Sequence, residues 1–174
     1  KLMRASPDVY EPAVSALAER YSHDTNEVSE EVRELVVRLN KQYPKDIGVL
    51  CTFFLNLVHL ERGEAMFLGA NEPHAYISGH ILECMAASDN VVRAGLTPKA
   101  RDVDVLIDML TYESASASAQ RLDAPIWDGD ASGSTLLYNP PIPEFSVLVS
   151  SLDIGASCKH RALHGPSIVL ITEG

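Results

Sequence analysis

Cysteine is scarce in this chain of 174 residues: Cys51, Cys84 and Cys158 are three in number, widely spaced, and form no CxxC pair. An odd, dispersed set reads as neither a disulfide scaffold nor a thiolate zinc site, and suits a reducing compartment. Long apolar runs are also missing. The longest candidate, Ile47 to Leu60, is too short to cross a bilayer and is interrupted by Thr52, Asn56 and His59. The first residues carry no basic-then-apolar leader, so no secretory signal is read. Cations are outnumbered: 14 Lys and Arg face 24 Asp and Glu, for a formal net charge of −10. That balance repels a phosphate backbone and an anionic membrane surface, so neither nucleic acid nor membrane is an expected partner. An anionic ligand would have to be held by local cations against the overall field. The absent initiating Met, and an end at Glu173-Gly174 just after an apolar run, read as a fragment of a longer protein.

What is present is globular: 46% of residues are hydrophobic and 22% charged. The first part of the chain reads as helical. Val14, Leu17, Ala18 and Tyr21 recur at helical spacing, with Pro12 placed where a first turn tolerates it. Val28, Val32, Leu35, Val36 and Leu39 make a second stripe, capped by Thr25 or Asn26 and ended by Tyr43-Pro44. After Pro44 the texture turns to short apolar runs between turn signals. Strands are expected over 52–60, 65–69, 74–77 and 81–87, which points to an antiparallel barrel or jelly roll. Asp102 caps a further helix with Val103, Leu106, Ile107 and Leu110 as its buried stripe, running to Tyr112. Residues 113–143 read as a long loop anchored by Trp127, and 144–152 and 166–172 as two more strands.

The chemistry concentrates in one run from His74 to Lys99. His74 and Tyr76 share a strand face by the two-residue alternation. Glu83 lies among Ile81, Leu82 and Met85, where a buried carboxylate must be paired, hydrogen-bonded or metal-linked. Asp89, Arg93 and Lys99 crowd a turn-rich segment with Gly95 and Pro98, and such cations beside an imidazole suit a phosphate or a developing oxyanion. Taken singly, the same residues have ordinary structural readings: Glu83 as an ion-pair partner of Arg93, Asp89 as a turn cap, Lys99 as a solvated lysine, Tyr76 as core, and Cys84 as a small buried filler. Met66, Phe67 and Met85 read as packing, and His160 and His164 as a solvated loop.

The run from His74 through Lys99 resembles the signature of the type I mannose-6-phosphate isomerase (phosphomannose isomerase) family. The flanks agree: Gly63–Leu68 with Asn71-Glu72-Pro73, Asp102-Val103 leading to Met109–Tyr112, and Pro140-Pro141 before Glu144-Phe145. The resemblance covers essentially the whole chain. It implies an α+β fold, mainly β, with jelly-roll (cupin-like) antiparallel sheets after an N-terminal helical segment. On that reading 1–45 ends a helical insertion domain and 46–112 carries the last strands of a catalytic jelly roll plus a helix. Residues 113–143 connect, and 144–174 begin a second, truncated unit.

The resemblance further implies a cytoplasmic, zinc-dependent aldose–ketose isomerase interconverting mannose 6-phosphate and fructose 6-phosphate, feeding sugar-nucleotide and glycosylation pathways. The family's zinc takes a Gln and a His from a Gln-x-His pair, a Glu, and a later His. His74 matches the later His; no Gln-x-His exists here, because the two glutamines are Gln42 and Gln120. One ligand is too few for a useful site, so the chain alone is expected to be inactive. By the same resemblance Arg93 stabilises the enediolate, Asp89 and Glu83 are candidates for orientation or proton transfer, and Lys99 and Tyr76 contact substrate. His80 follows Gly79 where family members commonly carry Asp. It stands six residues from His74, with a bend expected at Gly79 between them. The alternative reading is a non-catalytic cupin-like module for sugar binding or association. The sequence leaves the oligomeric state open.

Overall fold

Pro7, rather than Pro12, opens the first helix. Helix α1 spans Pro7–Ser22 with Pro7 in its first turn, where a missing N–H costs nothing. Pro12 therefore lies inside the helix and has no amide to give the Asp8 carbonyl. Helix α2 spans Glu30–Gln42, and its cap is Ser29, whose hydroxyl oxygen accepts from the Val32 amide at 3.4 Å. The expected caps, Thr25 and Asn26, fall outside the described residues. This computed structural model describes residues 1–23, 27–88 and 91–174.

Two compact units are present. The first comprises residues 1–60 and 67–120, the second 61–66 and 121–174. In the first, Val14 and Tyr21 of α1 pack against Leu35, Val36 and Leu39 of α2, with Val49 of the short helix α3 (Gly48–Cys51). Leu57, Ile77 and Leu96 cover this core from the chain that follows. Truncating a buried leucine such as Leu39 to alanine costs about 2–5 kcal/mol. Helix α4, Val103–Met109, is capped as expected by Asp102, which accepts from the Val105 amide at 3.1 Å, and it buries Leu106. It stops short of Tyr112, which takes a left-handed φ of 55°.

The strands differ most from expectation. A strand persists only where a neighbour satisfies its N–H and C=O groups. Among the described residues no segment pairs with 52–60, 74–77 or 81–87, and these stretches are turn or irregular chain. Phe53, Phe54, Leu55, Ile81 and Leu82 are exposed in consequence. The run at 65–69 contracts to β1, Ala65–Met66, which pairs antiparallel with β2, Arg121–Leu122, in the second unit. There β3 (Thr135–Tyr138) pairs antiparallel with β4 (Val147–Ser150), Thr135 lying opposite Ser150. Strand β3 arises within the stretch read as loop, because the Trp127 amide donates to the Thr135 carbonyl at 2.8 Å and draws the chain back on itself. Trp127 is buried, as an anchor should be. Residues 166–172 form no strand, and Ile168, Val169, Leu170 and Ile171 are exposed.

The fold is therefore α+β with antiparallel pairing and a helical N-terminal segment. More described residues lie in helices than in strands, and the two strand pairs do not by themselves make a jelly roll. Among the described residues no helix is long and apolar enough to cross a membrane.

Candidate functional site

Glu72 sets the start of the site. Its carboxylate accepts from the Gly69 amide at 3.2 Å and from the Gln120 side-chain amide at 3.0 Å, which fixes the turn before Pro73. The Glu72 carbonyl oxygen then lies 3.1 Å from Nδ1 of His74. A carbonyl can only accept, so Nδ1 is the donor, and in the neutral ring Nε2 is the nitrogen that holds the lone pair. An Nδ1–H to backbone-carbonyl bond is how a metal-ligating imidazole is commonly oriented. The His74 and Tyr76 rings lie 5.6 Å apart, centroid to centroid. The Tyr76 hydroxyl donates to Oε1 of Glu83 at 2.6 Å. Desolvation first, then the hydrogen bond and charge of Glu83, push the Tyr76 phenol up to about 12. It stays a protonated donor at neutral pH. Arg38 of α2 donates to the Ile77 carbonyl at 2.7 Å, and the Ile77 side chain packs on the helical core, so the run is tied down just after Tyr76.

Arg93 and Lys99 sit on the next loop, which one carboxylate anchors. Oδ1 of Asp46 accepts from the Gly48 amide at 2.6 Å and the Leu96 amide at 2.9 Å. Arg101 adds a bond to the Ala94 carbonyl at 3.4 Å. Arg93 is half-buried, and among the described residues it has no carboxylate within ion-pair distance. Lys99 is exposed, and its backbone amide donates to the Thr97 hydroxyl at 3.2 Å.

Of the residues singled out from the sequence, His74, Tyr76 and Glu83 come together. Arg93 and Lys99 share a loop but make no hydrogen bond or ion pair to those three, and Asp89 lies outside the described residues. Glu83 pairs with Tyr76 instead of Arg93. Tyr76, 56% exposed, is not core, Met85 is exposed rather than packed, and Cys84 is exposed rather than a buried filler. All three belong to the stretch that lacks a strand partner. His80 follows the bend at Gly79, whose φ is 109°, and is exposed. Among the described residues neither His74 nor His80 is grouped with two further metal-ligating side chains.

One cluster escaped the sequence reading. In the second unit the Asp130 carboxylate accepts from the amide and hydroxyl of Ser132, the amide and hydroxyl of Ser134, and the Thr135 hydroxyl. These bonds, that of the Ser132 hydroxyl foremost, hold its carboxyl well below the usual range. His160, read as part of a solvated loop, bridges back to Asp130 and reaches Thr135. The available signal was hydroxyls two, four and five residues after an aspartate, a pattern suited to a side-chain-closed turn.

Comparison with known proteins bears on both regions. Residues 1–55 match the family model described as "Phosphomannose isomerase type I, helical insertion domain", and residues 135–174 match "Phosphomannose isomerase type I C-terminal". A mannose-6-phosphate isomerase of Cryptococcus neoformans is 56% identical over 99% of this chain and 40% of that protein. One from Ogataea parapolymorpha is 46% identical over 100% of this chain and 41% of its own length. Among solved structures, a mutant phosphomannose isomerase from Salmonella typhimurium superposes with a TM-score of 0.71 at 32% identity, covering 87% of this chain and 36% of that one. The same enzyme bound to substrate (fructose 6-phosphate) and a zinc atom gives 0.67 at 30% identity over 87% of this chain and 36% of that one. The chain thus spans about 40% of the length of the curated relatives it matches.

Proposed function

Since the chain belongs to the type I phosphomannose isomerase family, we propose that it is the portion of a cytoplasmic zinc-dependent isomerase that supplies one metal ligand and the cationic side of the sugar-phosphate site. The observation that carries this reading is His74, whose Nδ1 is engaged by the Glu72 carbonyl at 3.1 Å and whose Nε2 lone pair is left for an ion. The residues present do not build the family's zinc site on their own: they offer one imidazole and no Gln-x-His pair. The remaining ligands belong to the rest of the whole enzyme, and the isolated chain is inactive.

Within the whole site the roles divide by chemistry. Moving a proton between C1 and C2 of the sugar builds negative charge on an enediolate. Arg93, always charged, stabilises that charge and cannot be the base. Lys99 holds the phosphate as a point charge against the acidic field of the chain. Tyr76, kept protonated, donates either to Glu83 or to a substrate oxygen, and Glu83 and Asp89 are the carboxylates available for proton transfer. Unpaired stretches 74–77 and 81–87 complete their ladders in the whole protein's jelly roll, with domain boundaries near residues 45, 112 and 143. The product feeds sugar-nucleotide synthesis.

The test is activity and metal content of the longer protein against the isolated chain. The longer protein is expected to bind zinc and turn over mannose 6-phosphate, and to lose both with His74→Ala. Turnover by the 174-residue chain supplied with zinc alone, or an unaffected His74→Ala enzyme, would overturn the assignment.

A further inference from the structure

The three potential ligand atoms of Asp130, Cys158 and His160 lie within 4.8 Å of one another in the second unit. From this geometry we infer a second cation site, for a single soft divalent ion of the zinc class, formed by the Cys158 thiolate, Nε2 of His160 and the Asp130 carboxylate. None of the three belongs to the His74–Lys99 run.

The hydrogen bonds show how an ion enters. Nε2 of His160 lies 3.0 Å from the Thr135 hydroxyl oxygen, 3.3 Å from that of Ser150 and 3.7 Å from Sγ of Cys158. The Thr135 hydroxyl has one proton and donates it to Asp130 at 2.8 Å, so towards His160 it can only accept, and Nε2 carries the ring proton. A proton thread therefore joins His160 to Asp130 through Thr135, along the line an ion would replace. With that proton on Asp130, the Ser150 hydroxyl is the donor across the 2.8 Å contact to Thr135, a direction two hydroxyls can reverse. When the ion binds, Thr135 turns its proton to Ser150, whose own hydroxyl proton swings out to solvent, and frees one lone pair of Asp130. His160 moves its proton from Nε2 to Nδ1. The Cys158 S–H bond breaks as the metal–sulfur bond forms, and that proton goes to solvent. One proton is released per ion, and two negative ligands balance the two positive charges.

The surroundings suit such a site. Asp130 is buried and its other lone pairs stay fixed by Ser132 and Ser134, so it is already oriented. Cys158 is half-buried and His160 exposed, which leaves an approach from solvent. Thiolate with imidazole selects the zinc class over magnesium or calcium. The ring of Trp127, the chain's one tryptophan, stands perpendicular to that of His160 with centroids 5.0 Å apart, placing a reporter at the site.

The experiment uses the whole 174-residue chain, stripped with chelator and titrated with zinc and then cobalt. One zinc per chain is expected, with a change in Trp127 emission, one proton released, and a thiolate-to-cobalt charge-transfer band. Cys158→Ser should abolish the band and His160→Gln should weaken binding by more than the roughly 10–100-fold typical of losing an outer hydrogen bond. Thr135→Val should fall within that range, and circular dichroism checks that each variant is folded. His74→Ala should leave the band in place. A folded chain that gives no thiolate band, or a band that survives Cys158→Ser, overturns the inference.

Discussion

Gly95 meets Gly48 backbone to backbone: a Cβ on Gly95 would stand 2.6 Å from the Gly48 Cα and 2.8 Å from its nitrogen. The approach is what lets one oxygen of Asp46 hold both the Gly48 and Leu96 amides. Gly95→Ala must push two backbones apart, and overpacking of this kind costs about 1–3 kcal/mol. Thermal unfolding followed by circular dichroism should show the loss; an unchanged midpoint would mean the two loops part freely.

The Arg93–Lys99 loop is the segment that Asp46 and Gly95 fix. In the whole enzyme Arg93→Ala should lower kcat by about 10²–10³, the usual loss for one preorganised stabiliser of a developing oxyanion. KM should change less, and Arg93→Lys should recover part of the rate by keeping charge without the planar fork. An unaltered kcat would remove Arg93 from the reaction.

Tyr76 should titrate late. Burial and then Glu83 raise its phenol to about 12 from an ordinary 10. Glu83→Gln should bring the midpoint down without reaching 10, since partial desolvation of this half-exposed ring is the first cause. The Tyr76→Phe difference spectrum identifies the tyrosinate signal. Because the folded value is raised, the stability Tyr76 contributes is present below pH 10 and is lost as pH climbs through about 12. No alkaline shift between the wild-type chain and Glu83→Gln would break the Tyr76–Glu83 assignment.

Asp130 gives the opposite sign. Its carboxyl is held below the usual value of 3.8, so the stability it contributes is present above about pH 4 and is lost as pH falls through the depressed folded value. Asp130→Asn should weaken the second unit at neutral pH, and the gap from wild type should close in strong acid. Trp127 emission during acid unfolding measures it. A constant gap at all pH values would assign the effect to packing alone.

Why some of this was legible and some not follows from where the information sits. Helices α1, α2 and α4 carry their own evidence, because apolar spacing and an Asp102 cap act within a few residues. The His74–Lys99 run stood out as a mixture of polar residues where core was expected, and of its candidates His74, Tyr76 and Glu83 meet in the structure. Strands 52–60, 74–77 and 81–87 have the right composition, yet composition cannot say whether a partner exists, and here none of the described residues supplies one. The Asp130–Thr135–His160 thread joins positions 25 and 30 residues apart, beyond any local pattern.

Residues 167–172 unite β-branched character, no charge and no proline on an exposed stretch, the profile of a self-associating segment. Val169→Lys with Ile171→Lys should narrow the gel-filtration profile at high concentration and leave the circular dichroism spectrum unchanged. Equal association in the doubly substituted chain would place the sticky surface elsewhere.

Among the described residues the four α-helices belong to the first unit, while the chain's single indole belongs to the second. Far-ultraviolet ellipticity and tryptophan emission therefore watch different halves of the molecule without any label being attached. Melting curves that coincide by both probes would mean the halves unfold as one cooperative body, and curves that separate would give each its own transition.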